Sequence, residues 1–233
     1  MEKVVGIIGG MGPEATVDLM ARVIRATPAL DDVDHIRMVV DNNPKVPSRI
    51  KALIEGDGPS PVPVLREMAR KLAAWGVDFL VMPCNTAHYY HQDVQQAVSV
   101  PLLDMIGLAV EKVVSRHPHV QSVGLMASTA VLNLKLYEKA FTRQGVKLIA
   151  PPPPVQAELM AAIRKIKTSR YGKEVTAALQ TAADHLVNTG AEVLLVACTE
   201  LSIVTDGIQA PTPVLDAAQI LAEAVVRTAI EST

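Results

Sequence analysis

Cys84 and Cys198 are the only thiols in 233 residues, and they stand in matching surroundings. Cys84 closes the apolar run in "VDFLVMPCNTAH" (77–88) and Cys198 the one in "AEVLLVACTEL" (191–201). Each is followed at once by polar residues that favour helix starts, Asn85-Thr86 and Thr199. A thiol at the carboxyl end of a parallel strand points into the crevice where open α/β sheets bind ligands. Backbone N–H groups at a helix start favour its thiolate. Two like groups, one taking a proton and the other giving one, suit proton exchange on both faces of a carbon beside a carboxylate. A single base would have to turn the intermediate over.

A proton beside a carboxylate is only weakly acidic, so such a site also needs donors for the charge that builds up. "GGMGPEAT" (9–16) is a glycine-rich turn opening a helix with Pro13 in its first turn. "ASTA" (127–130) is its counterpart, where Ser128 and Thr129 could donate. "DNNPKVPSR" (41–49) follows the second strand and brings Arg49 to the same rim.

The elements that must position these residues are legible as alternation. Apolar runs at 4–8, 35–40, 79–82, 122–127, 147–150 and 193–197 have the near-continuous hydrophobicity of strands covered on both faces. Amphipathic segments at 14–26, 61–75, 105–115, 132–144 and 173–189 lie between them, which predicts βαβ units and parallel sheets. "PPPP" (151–154) reads as a stiff connector, and Trp75 beside Gly76 as core. Residues 77–114 parallel 191–229: strand, Cys, polar residues, Pro, two apolar residues, Asp, helix. Upstream, "VVGIIGG" (4–10) parallels "SVGLMAS" (122–128). This spacing predicts duplication of one α/β unit, with the halves related by a pseudo-two-fold axis.

Composition removes other classes. A net charge of −2 and 3% aromatics leave no footprint for nucleic acid. No apolar stretch reaches the roughly 18 residues of a membrane span, and free cysteines fit a cytoplasmic protein. "GMGPEA" (10–15) fits a dinucleotide-binding pattern, but Pro13 removes an amide that a pyrophosphate would use. Cys84, His88 and His91 have the spacing of metal ligands on one helix face, without an equivalent histidine in the second half. A Cys-His hydrolase would leave one thiol idle. A non-catalytic binder of small acids would have no use for a matched pair.

With "GIIGGMGP" (6–13), "NNPKVPSR" (42–49), "PCNTAH" (83–88) and "CTEL" (198–201), the chain resembles the cofactor-independent aspartate/glutamate racemase family, its aspartate-specific branch above all. The resemblance spans essentially the whole sequence. It implies an α/β protein of two similar domains with parallel sheets flanked by helices. They would comprise 1–105 plus 208–233, with the C-terminal helix returning, and 106–207. The active site would lie in the cleft between them. The family is usually dimeric and uses no pyridoxal phosphate, metal or nucleotide. Its substrate would be a small dicarboxylic amino acid. Cys84 and Cys198 would be the paired acid and base. Met11, Pro47, Ser48, Arg49, Asn85, Thr86 and Ala87 would bind substrate from the first half. Thr199, Glu200 and a lysine of "IRKIKTSR" (163–170), Lys167 or alternatively Lys165, would do so from the second. Maleate isomerase-like relatives also keep both cysteines, whereas arylmalonate decarboxylase-like ones keep one.

Overall fold

The computed structural model describes residues 3–169 and 172–230. The chain forms two compact units. The first runs to Met105 and takes in the chain again from Leu221; the second is Ile106–Ile220.

In the first unit, β1 (Val5–Gly9) is flanked by β2 (Met38–Asn42) and β3 (Phe79–Val81), all parallel. The helix α1 (Pro13–Ala26) joins β1 to β2, and α2 (Val62–Ala74) precedes β3. The short α3 (His91–Gln95) follows a single 3-10 segment, Thr86–Tyr90. β1 is buried along its whole length, as expected of a central strand whose both faces carry helices. Leu65, Met68, Ala69 and Leu72 form the buried stripe of α2, at the spacing of one helix face. That stripe stops at Leu72. Trp75, expected in the core, is 69% exposed, because the helix ends there and the chain turns away at Gly76, whose φ is +85°.

The second unit starts with α4 (Met105–Arg116), whose first residue still belongs to the first unit. Its sheet has the order β5-β4-β6-β7, from β4 (Ser122–Ala127), β5 (Lys147–Ile149), β6 (Val193–Ala197) and β7 (Val214–Asp216). Between β4 and β5 the single expected helix 132–144 is divided into α5 (Thr129–Asn133) and α6 (Glu138–Arg143), with Lys135 at φ +53° in the break. α7 (Pro153–Ile166) and α8 (Lys173–Asn188) precede β6. Pro153 and Pro154 are not a connector but the first turn of α7, where their missing N–H groups cost nothing. α9 (Thr199–Ser202) follows β6, and α10 (Ala217–Ile230) carries the chain from the second unit into the first. Residues 208–220, expected with the first unit, group with the second, since Val214–Asp216 adds to β6 as an edge strand.

The two sheets share more than their order. Gly6 pairs with Leu80 and Gly124 with Leu194, so the same register aligns both halves. A Cβ at either glycine would meet that leucine's Cδ2, at 2.7 Å and 2.8 Å. On the far side of β3, Leu80 N–H donates to Pro101 O at 2.7 Å and Leu103 N–H to Leu80 O at 2.9 Å. On the far side of β6, Leu194 N–H donates to Pro213 O at 2.9 Å. The segment around Leu102 is therefore the counterpart of β7, reduced to one parallel bridge.

Candidate active site

In the first unit the β1 turn is fixed by its own helix. Thr16 Oγ1 accepts from Gly10 N–H at 2.9 Å and donates to Gly12 O at 3.1 Å. Gly10 has a φ of +90°, and a Cβ there would stand 2.2 Å from the Asn43 backbone, so glycine alone lets the turn touch the end of β2. Met11 is buried in this turn, and its carbonyl accepts from Arg49 Nη2 at 3.3 Å. Arg49 Nη1 donates to Pro47 O at 2.9 Å and Val46 O at 3.4 Å. The half-buried guanidinium is thus held by carbonyls of two loops, with no carboxylate paired to it among the described residues. Pro47 is half-buried. Ser48 is exposed, with its Oγ accepting from Lys51 N–H at 3.3 Å.

Cys84 lies past the end of β3 and is 6% exposed. Asn85 and Ala87 are buried and Thr86 is half-buried. Asn85 occupies the cap position of the following 3-10 turn but makes no side-chain cap, so the expected capping role is not realised. His88 fills the space behind the cysteine. Met105 N–H donates to its Nε2 at 3.1 Å, which places the proton on Nδ1, 2.9 Å from Cys84 O. Burial holds the His88 pKa below the ordinary imidazole value, and the Cys84 carbonyl and Asp104 work the other way. His91 stacks on it, with its Nε2 2.9 Å from Leu102 O. The Cys-His-His spacing is therefore used to tie backbone together. Among the described residues no three His, Cys, Asp or Glu side chains are grouped to hold a metal ion.

In the second unit Cys198 follows β6 and occupies the N-cap position of α9 without a side-chain cap. Its Sγ–H donates to Glu200 Oε2 at 3.2 Å, and Lys167 Nζ is 3.4 Å from Glu200 Oε1. Burial, then the Glu200 charge, push the Cys198 thiol well above its ordinary pKa, while Lys167 and the Leu201 N–H pull it down. The helix start alone predicts a thiolate. Desolvation and the carboxylate outweigh it here. Of the two candidate lysines, Lys167 reaches the cysteine's neighbourhood and Lys165 pairs with Glu174 at 3.1 Å. Thr199 is buried beside Cys198. Ser128 and Thr129 are engaged locally: Ser128 Oγ accepts from Val131 N–H at 3.4 Å, and Thr129 Oγ1 from Gln156 Nε2 at 3.2 Å. An open cavity of about 320 Å³ in this unit lies among Leu125, Tyr137 and Lys147, and no residue of the Cys198 motif lines it.

Sequence reasoning did not find the thiol–carboxylate contact of Cys198 with Glu200, nor the backbone ties of His88 and Ser202. The repeat offered a signal for the last pair, since both stand four residues after their cysteine.

The fold and its matched thiols define an α/β protein built twice from one parallel unit, with a cysteine beyond the same strand of each. The chain belongs to the Asp/Glu/hydantoin racemase family, which matches residues 8–225. It is 31% identical over 230 residues to the broad-specificity amino-acid racemase RacX of Bacillus subtilis, spanning 96% of this chain and 97% of that one. The aspartate racemase of Picrophilus torridus superposes with a TM-score of 0.81 at 29% identity, covering 97% of this chain and 94% of that one. Glutamate racemase of Francisella tularensis, at 16% identity and a TM-score of 0.68 over 97% of this chain and 81% of that one, shares the fold.

Proposed function

We propose that the protein is a cofactor-independent amino-acid racemase in which Cys84 and Cys198 serve opposite faces of the substrate Cα. The observation that carries this is the equivalence of the two cysteines, each just past the strand that pairs with the glycine-bearing strand of its sheet. In one direction Cys84 takes the α-proton while Cys198, protonated at rest against Glu200, delivers one; the reverse reaction exchanges the roles. The enzyme would act in the cytoplasm as a homodimer; among the described residues no helix is long and apolar enough to cross a membrane.

Aspartate is the preferred substrate on this reading, with Arg49 holding a carboxylate by two parallel N–H donors. A second reading is favoured by one contact. Lys167 already faces Glu200, so its charge is partly satisfied before any substrate arrives, and a neutral side chain could be accepted there. Similarity to a broad-specificity racemase points the same way.

Incubation with single L-amino acids in deuterated water, without added cofactor, tests both. D-aspartate carrying deuterium at Cα supports the first reading, and comparable rates across neutral amino acids the second. Absence of exchange with every amino acid would overturn the proposal in favour of a maleate isomerase-like reaction. Arg49→Lys keeps the charge and loses the planar fork, so kcat/KM for aspartate should fall by about 10-fold or more in steady-state assays.

A further inference from the structure

The segment after each cysteine contains a side-chain tie to the next long helix that proton transfer does not use. His88 stands four residues after Cys84, and Ser202 four after Cys198. His88 Nδ1 lies 2.9 Å from the Cys84 carbonyl, and its Nε2 accepts from Met105 N–H, the first residue of α4. Ser202 Oγ lies 3.3 Å from the Cys198 carbonyl and donates to Asp216 Oδ1 at 2.6 Å. That same Asp216 oxygen accepts from Ala218 N–H at 2.9 Å, in the first turn of α10. In the first unit, then, one buried side chain bridges the carbonyl of the cysteine to the start of the next long helix; in the second, the Ser202 hydroxyl, whose one proton goes to Asp216, is tied through that carboxylate to the start of α10. The helix starts that are tied correspond, through an imidazole in one unit and a hydroxyl with a carboxylate in the other, but only the imidazole has a proton for the carbonyl of its cysteine.

We infer that His88 is a positioning residue for Cys84: it fixes the backbone of its cysteine against a helix start, so that the Sγ keeps a set orientation. This rests on the racemase reading above, and its test separates the two. The bridge requires neutral His88, because a proton on Nε2 would face the Met105 N–H. Asp104 before α4 and the stacked His91 are the titratable neighbours that act on this choice: Asp104 raises the His88 pKa, His91 lowers it, and burial, the largest effect, keeps the imidazole neutral.

The substitutions His88→Asn, His88→Gln and His88→Leu distinguish the ends of the bridge. An Asn amide reaches about as far as Nδ1 and can still donate to Cys84 O, whereas Gln reaches about as far as Nε2 and serves Met105 only. Two readouts are taken on variants whose thermal midpoints stay near that of the parent. In steady-state racemisation, His88→Asn should stay within about 3-fold of the parent kcat, while His88→Gln and His88→Leu fall by about 10-fold or more with KM little changed. In a Cys198→Ser background, the iodoacetamide alkylation rate of Cys84 should shift several-fold for Gln and Leu and hold for Asn. Equal behaviour of Asn and Gln, or an unchanged alkylation rate in His88→Leu, overturns the inference. Alkylation needs no turnover, so a parent protein that racemises nothing would sink the functional reading while still deciding this one.

Discussion

At the residue scale the two thiols share a position and differ in their neighbours. Cys198 donates to the Glu200 carboxylate, and Lys167 stands behind it; the residue at the same offset after Cys84 is Thr86, which carries no charge. Burial and Glu200 both favour the protonated form of Cys198, so removing the carboxylate should lower its pKa and removing the lysine should raise it. Alkylation of Cys198 followed against pH, in a Cys84→Ser background, should show its midpoint moved down in Glu200→Gln and up in Lys167→Met. The sign for stability follows from linkage. A thiol whose folded pKa lies above its unfolded one contributes stability that is complete below the unfolded value. That contribution is lost as pH rises through the folded one, so the parent should weaken above the ordinary thiol range more than Cys198→Ala does. Denaturant midpoints across alkaline pH check this. The cysteines and the turn residues were legible in the sequence because chemistry of this kind needs particular side chains at strand ends. The Cys198–Glu200 contact was not, since a spacing of two residues does not say which way either side chain turns.

At the element scale, the strand and helix pattern was readable wherever burial was continuous. The runs at 122–127 and 193–197 match β4 and β6 residue for residue. α7 was missed because four prolines disguise its start, although proline is tolerated in a first turn. β7 was missed because three residues after a proline carry almost no periodic signal. The glycines of the central strands make a sharper statement. At Gly6 an added Cβ would meet mainly the movable ends of Leu80 and Val77. At Gly124 it would also stand 3.0 Å from the Cβ atoms of Ala191 and Leu186, which cannot rotate away. Gly124→Ala should therefore cost more than Gly6→Ala, with the former at about 1–3 kcal/mol by urea unfolding. The reverse order would mean that β4 shifts more easily than its contacts imply.

At the scale of the whole molecule, the internal repeat seen in the sequence becomes two sheets that share the order of three strands, the second adding a fourth at its edge, and the same glycine–leucine register. Duplication supplies a second thiol without inventing a second architecture. If each half serves one face of the substrate, neither suffices. Cys84→Ser and Cys198→Ser should each reduce racemisation by about 10²–10⁴-fold in polarimetric assays, with fold retained by circular dichroism. Retention of substantial activity in either variant would leave one thiol without a role.

The carboxylate two residues after one cysteine, where the other has Thr86, has a kinetic corollary. Left- and right-handed forms of an amino acid have equal energy, so at equilibrium neither accumulates, and kcat/KM must be the same for both. Unequal halves can therefore show themselves only as matched changes, one enantiomer being bound more loosely and turned over faster in proportion. A catalyst for a mirror-symmetric reaction is thus free to be lopsided, provided that the lopsidedness cancels in the ratio.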